Sequence, residues 1–393
     1  MNWHIVATAA SSKAAQAAIR AYTLIDTIGV NTHIDFAKYG YQNLSVVEGA
    51  INYLGLKNLR DSAQTSTDAQ TWLQVAQATG AKFDDYIAEA SPDGMAYDLS
   101  LVHELASEGI LNYLEGGNEE DDAYPASLGN TLAITAQFQQ QVYATGRALG
   151  LPVINMSFGA GWTAANNWQG HYGDVGDLSA YADYANAHTY PLVGQGTDWT
   201  TQRLNGLARL AAASRPVITT EIGWNESQGF GQDNIAKRAI QAVLDGMKNG
   251  NVKTYFYALY DDGSGLFGLM NQDGTAKPAG AAIHNLTTLL ADTGANAATF
   301  APRSLAYTLG GATANDNTLL MQKSDGSYWL SLWNEIDAVH NVTLTLPATA
   351  QIKVFDPLKG TGAIQNLARA ISATLTLSDR PMLVKVIGGA AGP

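Results

Sequence analysis

The chain has 393 residues, 46% of them hydrophobic, with 22 Lys plus Arg against 35 Asp plus Glu and hence a net charge of −13. A surface of that sign repels a phosphate backbone, which argues against nucleic acid as a partner. The absence of cysteine removes disulfides, thiol nucleophiles and thiolate metal sites. No apolar run reaches the ~18 residues that span a bilayer, so no membrane insertion is expected, and the length fits one large domain plus a smaller one.

In chain order, Met1–Ala10 lack the basic start and long apolar stretch of a signal peptide, although the protein is expected to be secreted or periplasmic. That stretch could supply a strand to a C-terminal sheet, and Ser11–Tyr22 read as an Ala-rich helix; together they make an N-terminal extension over residues 1–23. Strand-like apolar runs follow at Thr27–Phe36, Lys57–Ser62, Lys82–Ile87, Ile110–Glu119, Pro152–Phe158, Tyr184–Pro191, Pro216–Trp224 and Val252–Asp262. Between them lie stretches with apolar residues at helical spacing, such as Asp68–Thr79, Leu99–Glu108, Thr131–Leu149, Leu204–Ala213 and Asn234–Asn249. Eight strands alternating with helices predict an α/β protein, a parallel (β/α)8 barrel over residues 24–295. An open doubly wound sheet is the alternative. It is disfavoured because no Gly-rich phosphate turn follows the first strand, which ends in His33-Ile34-Asp35-Phe36. From residue 296 to 393 the period changes to short alternating strands, such as Tyr328–Trp333, Val342–Leu346 and Met382–Val386, with turns such as Ser324-Asp325-Gly326. These predict a C-terminal antiparallel β-sandwich.

Active sites of such barrels gather at the C-terminal strand ends. Strand four ends in Asn118-Glu119 and strand seven in Glu221. Two carboxylates facing each other across a cleft suit glycosidic cleavage, in which one protonates the leaving oxygen and the other attacks the sugar carbon or activates water. Glu120 and Glu226 lie close by; Asn118 before one glutamate and Thr219-Thr220 before the other favour Glu119 and Glu221. Glu115 is expected inside the barrel. The loops carry Trp162, Asn166, Asn167, Trp168, His171 and Tyr172 after strand five, Trp199 after strand six, and Trp224 and Asn225 after strand seven. Rings that stack on pyranose faces, with amides reaching for hydroxyls, would make a carbohydrate cleft long enough for a polymer. His33 and Asp35 would line its floor. The seven histidines show no ligand spacing, and Asp261-Asp262-Gly263 and Asn271-Gln272-Asp273-Gly274 lack the bidentate Glu of a calcium loop. No metal and no cofactor is therefore expected.

These motifs carry a family likeness. Asn118-Glu119, Glu221, Arg60 after strand two, His188-Thr189-Tyr190 after strand six and the segment Gly265–Ala279 after strand eight resemble, in the same strand order, the clan A retaining glycoside hydrolases. The barrel followed by a sandwich is most similar to family 39 and related exopolysaccharide hydrolases. The resemblance implies Glu119 as acid/base, kept protonated by burial and by repulsion from Glu221, and Glu221 as nucleophile. It further implies that Arg60 and Tyr190 donate to Glu221, that Asn118 binds the sugar 2-hydroxyl, and that His188 binds sugar or supports the acid/base. Two departures stand out. Tyr257-Ala258-Leu259-Tyr260 replaces the tryptophan that often floors the sugar site, so Tyr260 is expected to stack there, and Glu120-Asp121-Asp122 replaces the usual proline after the acid/base. A non-catalytic carbohydrate-binding protein on a hydrolase barrel and a transglycosylase are the alternatives.

Overall fold

The computed structural model describes residues 15–36, 38–88, 92–119, 121 and 132–388. The chain divides into two compact units, one spanning Leu24–Thr288 and one joining the chain up to Thr23 with everything from Leu289 onward.

The described part of the N-terminal extension holds β1 (Ala15–Ala17), antiparallel to β11 (Ser304–Ala306), and β2 (Ile19–Arg20), parallel to β13 (Asn317–Gln322). Helix α1 starts only at Ala21 and runs to Asp26. Over its described residues the helix expected at Ser11–Tyr22 is replaced by the short strands Ala15–Ala17 and Ile19–Arg20, because pairing with the edge of a sheet overrides even alanine's strong intrinsic helix propensity. The expected strand at Met1–Ala10 lies outside the described residues.

The larger unit runs β3 (Ile28–Asn31), α2 (Leu44–Leu54), β4 (Asn58–Asp61), α3 (Ser66–Thr79), β5 (Lys82–Ile87), α4 (Pro92–Ser107), β6 (Leu111–Gly117), α5 (Leu132–Leu149), β7 (Val153–Ile154), β8 (Ala185–Thr189), α6 (Thr197–Ala211), β9 (Val217–Ile222), α7 (Gln232–Lys248), β10 (Thr254–Phe256) and α8 (Pro278–Leu290). All eight strands pair in parallel in the order β7-β6-β5-β4-β3-β10-β9-β8, and a bridge between Ile154 and Tyr184 closes the ring. This is the (β/α)8 barrel expected from the alternating pattern. Only two 3-10 turns, Ala164–Asn166 and Ser179–Tyr181, stand between β7 and β8, so a loop replaces the helix there.

The barrel interior is layered by chemistry. Tyr113, Ile154, Ile218 and Tyr255 form an apolar plug. A Cβ on Gly29 would lie 2.3 Å from the Tyr255 ring, so this strand position accepts no side chain. Nearer the C-terminal ends the inward residues turn polar, with Asn31, Arg60, Asp84, Glu115, Asn186 and Thr220 all buried. Outside, Trp72 of α3 is fully buried and stacks on Phe83 of β5 at 4.1 Å, which clamps helix to strand.

The smaller unit adds β12 (Thr308–Gly310), β14 (Tyr328–Trp333), β15 (His340–Phe355), β16 (Ala363–Leu377) and β17 (Met382–Ile387). Its main sheet has the order β12-β15-β17-β14-β13-β2, with β16 paired to β15. Alternating residues such as Leu330, Val342, Leu344, Ile352, Leu375 and Val384 fill its core, as the period-two pattern predicts. Gly326, at φ 83°, turns the β13–β14 hairpin. No helix among the described residues is long and apolar enough to cross a membrane.

Replacing Trp72 by Ala empties the clamp between α3 and the barrel and should cost about 3–5 kcal/mol. Urea unfolding followed by circular dichroism checks this; an unchanged midpoint would contradict the packing described.

Candidate active site

Arg60 sits on β4 facing the barrel axis and is 1% exposed. All five of its N–H donors are used. Nε and Nη2 grip the Glu115 carboxylate at 2.8 and 2.7 Å, Nη1 donates to Asn31 Oδ1 and Glu221 Oε1 at 2.8 and 2.7 Å, and Nη2 also donates to Asn118 Oδ1 at 2.7 Å. The guanidinium centre lies 4.4 Å from the Tyr86 ring centroid. Burial opposes its charge, but the Glu115 and Glu221 carboxylates outweigh that and hold it protonated. Glu115 is fixed in turn by Asn186, which accepts from Thr220. Burial and the Glu115 carboxylate push Asp84 well above the ordinary carboxylate range, so it adds no further negative charge to the floor.

Glu221 reaches this network through a bulge. Ala187 pairs with Thr219 but the next residue, His188, pairs with Glu221, and on the other side Thr254 pairs with Thr219 while Phe256 pairs with Ile222. The extra residue in β9 lets Thr220 and Glu221 both face inward, where strict alternation would send one of them out. The second Glu221 oxygen accepts from the Tyr190 hydroxyl at 2.5 Å. Burial and the Glu221 charge raise Tyr190 well above its ordinary value, so it keeps the proton it donates. Arg60 and Tyr190 thus donate to the two different oxygens of Glu221.

Glu119 follows the end of β6 in a left-handed conformation, φ 49°, with its N–H bonded to Ser157 Oγ at 3.0 Å. A non-glycine residue there is strained, and such strain concentrates at functional sites. Its Oε1 lies 2.6 Å from His188 Nδ1, which is also 3.5 Å from Glu221 Oε2. Donor atoms of Glu119, His188 and Glu221 all fall within 4.8 Å of one another. One oxygen of each glutamate therefore lies within 4.8 Å of the other. These three side chains are also the only group among the described residues spaced to hold a metal ion.

The protonation pattern differs from the expectation for Glu119. Burial alone would raise it, but the charge and hydrogen bond of His188, helped by Arg60, bring it below the ordinary value. Burial would lower His188, yet Glu221 and Glu119 raise it. Both shifts favour a proton on His188 over one on Glu119.

At the rim the placement of the remaining candidates is mixed. His33 stacks on Phe36 at 4.5 Å and bonds the Tyr257 hydroxyl at 3.1 Å; burial drives it down to about 4, so it is neutral. Tyr257, which the sequence reading passed over, also donates to Asp262 at 3.0 Å and packs edge-on to Tyr190 and Phe267. Tyr260 is fully buried against Tyr41 and cannot stack on a sugar. Alternation from β10 gives Tyr257 the inward parity of Tyr255 and gives Tyr260, three residues further on, the opposite one. Trp224 is likewise 2% exposed and belongs to the core. Asn166 ties loop carbonyls of Gly161 and Gly170, Asn225 caps a 3-10 turn, and Tyr172 is buried against Phe158, so these three shape the loops. Trp162, Trp168 and Trp199 line a groove of about 790 Å³ together with Glu119, His188 and Tyr190. Glu226 pairs with Lys277 at 2.8 Å, away from the acidic pair, and Glu120 and the Asp35 side chain lie outside the described residues.

Two further residues have no strong sequence signal. Asp121 accepts from the backbone N–H groups of Gly159 and Ala160 and bonds His171, pinning the loop after β7 beside Glu119. A Cβ on Gly159 would come within 2.9 Å of the Glu119 carboxyl, so only glycine allows this approach.

No family model matches the chain, and no curated protein matches it by sequence. Among solved structures, it is similar to a glucosidase from Croceicoccus marinus, at TM-score 0.63 and 11% identity over 95% of this chain and 97% of that one. A monomeric beta-xylosidase from Caulobacter crescentus CB15 gives TM-score 0.62 at 12% identity over 96% and 98%. The GH39 enzyme from Xanthomonas axonopodis pv. citri gives 0.57 at 13% over 94% and 95%. At these identities the likeness establishes a shared fold.

Replacing Glu119 by Gln removes one of the two carboxylates that raise His188, so the imidazole pKa, followed by NMR, should fall; an unchanged value would contradict the pairing. In the unsubstituted protein, the stability His188 draws from the carboxylates is complete below about pH 6.5 and is lost as the pH climbs through its raised value.

Proposed function

We propose that the protein is a retaining glycoside hydrolase that cleaves a β-linked polysaccharide internally by double displacement, with a microbial polysaccharide as substrate. The observation that carries the reading is the asymmetry of two glutamates whose oxygens approach within 4.8 Å. Glu221 is aimed by Arg60 and Tyr190, whereas Glu119 is bonded to an imidazole. One is held as a nucleophile and the other is connected to a proton.

In the first step Glu221 attacks the anomeric carbon as the glycosidic bond breaks, and Glu119 protonates the leaving oxygen. His188 supplies that proton: it passes from Nδ1 to Glu119 as charge develops on the leaving group. Glycosylation removes the Glu221 charge. In the second step Glu119 takes a proton from water, the hydroxide attacks the anomeric carbon, and the ester to Glu221 breaks with net retention. Asn118 Oδ1 accepts from Arg60 Nη2. Its amide N–H groups are left to hold the sugar 2-hydroxyl. A sugar hydroxyl in place of water would give transglycosylation with the same residues.

A reducing-end assay on a panel of polysaccharides should lose at least about a thousandfold in kcat with Glu221→Ala. Activity that survives the substitution would reject the nucleophile. NMR of the first-formed product should show the β anomer; the α anomer would reject retention.

A further inference from the structure

The groove is lined by Glu119, His188 and Tyr190 together with Trp162, Trp168 and Trp199, the last on α6, and does not include Glu221. The flank of Glu221 is occupied differently: Tyr190, Tyr257 and Phe267 pack edge-on at 5.4–6.4 Å, and the Tyr257 hydroxyl is engaged by His33 and Asp262. A general acid delivers its proton to the leaving oxygen, so open space leading outward from Glu119 is space for the leaving group.

We propose that this groove is the leaving-group subsite and binds the released half of a β-linked sugar chain by stacking on Trp168 and Trp199. The proposal rests on the reading of Glu119 as acid/base. Two features of the groove point to a ligand. Asn167 and Trp168 are both left-handed, at φ 56° and 57°, a conformation that is costly for a bulky aromatic residue. Yet this strained segment leaves Trp168 55% exposed, so the indole contributes little to packing. Trp199, at 53%, and Leu192, at 60%, are similarly uncovered, and together they make an apolar surface that water wets unfavourably.

Arg203 connects the two ring supports. From α6 its Nη2 donates to the Trp168 carbonyl and, at 3.5 Å, to that of Asn167, while the guanidinium lies 5.7 Å from the Trp199 ring centroid. It is a positioning residue that holds the left-handed turn and so aims Trp168 into the groove. A ligand that reads this surface presents flat CH-rich faces at intervals with hydroxyls at its edges, which describes a pyranose chain of at least two units.

The full chain carrying Glu221→Gln, titrated with cellohexaose, xylohexaose and laminarihexaose and followed by calorimetry, tests this. At least one hexaose should bind, and Trp168→Ala and Trp199→Ala should each weaken it by about tenfold. Trp168→Tyr, which keeps a ring, should restore most of the loss, and Arg203→Met combined with Trp168→Ala should lose little beyond Trp168→Ala alone. Absence of binding by all three sugars, or binding that survives both tryptophan substitutions, overturns the proposal. Polysaccharide hydrolysis by the unsubstituted protein with tryptophan-independent binding rejects the groove and leaves the glutamate pair standing. Groove-dependent binding without hydrolysis of any polysaccharide keeps the stacking surface but rejects the hydrolase reading and, with it, the assignment of the groove as a leaving-group subsite.

Discussion

The bidentate bond from Arg60 to Glu115 is the contact on which the site depends. A guanidinium 1% exposed in the middle of a barrel is tolerable only if every N–H finds an acceptor, and here five acceptor atoms come from β3, β6, β9 and the residue following β6. Desolvating such a cluster is costly and removing one member typically costs about 3–5 kcal/mol, so its geometry resists distortion. Because Glu115 fixes two of the five donors, Arg60 has little freedom in where it points the others. Glu221 and Asn118 inherit their orientation from that constraint. The same cation offsets negative charge at the mouth without a metal ligand among the donors.

His188 adds a second asymmetry. Both glutamates lie near it, but Glu119 is the closer partner, at 2.6 Å against 3.5 Å. Two acids of one chemical type therefore differ in environment: one is surrounded by donors that orient it, the other shares a proton with an imidazole. Asp121 and Gly159 keep the second arrangement tight by bringing the β7 loop against Glu119. That loop also carries Trp162 and Trp168, so the same segment that packs against Glu119 displays the rings of the groove.

Much of this was legible in the sequence. Eight apolar runs at regular spacing predicted the barrel, and Asn118-Glu119, Glu221, Arg60 and His188-Thr189-Tyr190 fell at strand ends because inward-facing polar residues there interrupt otherwise apolar runs. What escaped is physical in origin. The β9 bulge that turns Glu221 inward is a feature of register, and no residue type announces it. Tyr257 takes the place expected of Tyr260 because it shares the inward parity of Tyr255, whereas Tyr260, three residues further on, does not. Trp224 looked like a loop residue but closes the core, because a tryptophan's size says nothing of which way it faces. The protonation of Glu119 was misjudged because burial and like charge were weighed without the imidazole that lies beside it only in three dimensions.

The central claim is that Glu221 forms a covalent bond to sugar while Glu119 does not. Incubating the protein with 2,4-dinitrophenyl 2-deoxy-2-fluoro-β-glucoside and the matching xyloside, followed by proteolysis and mass spectrometry, addresses it directly. A fluorosugar adduct on the peptide containing Glu221 is the predicted result. An adduct on the peptide containing Glu119, or release of dinitrophenol with no adduct on either, would contradict the account.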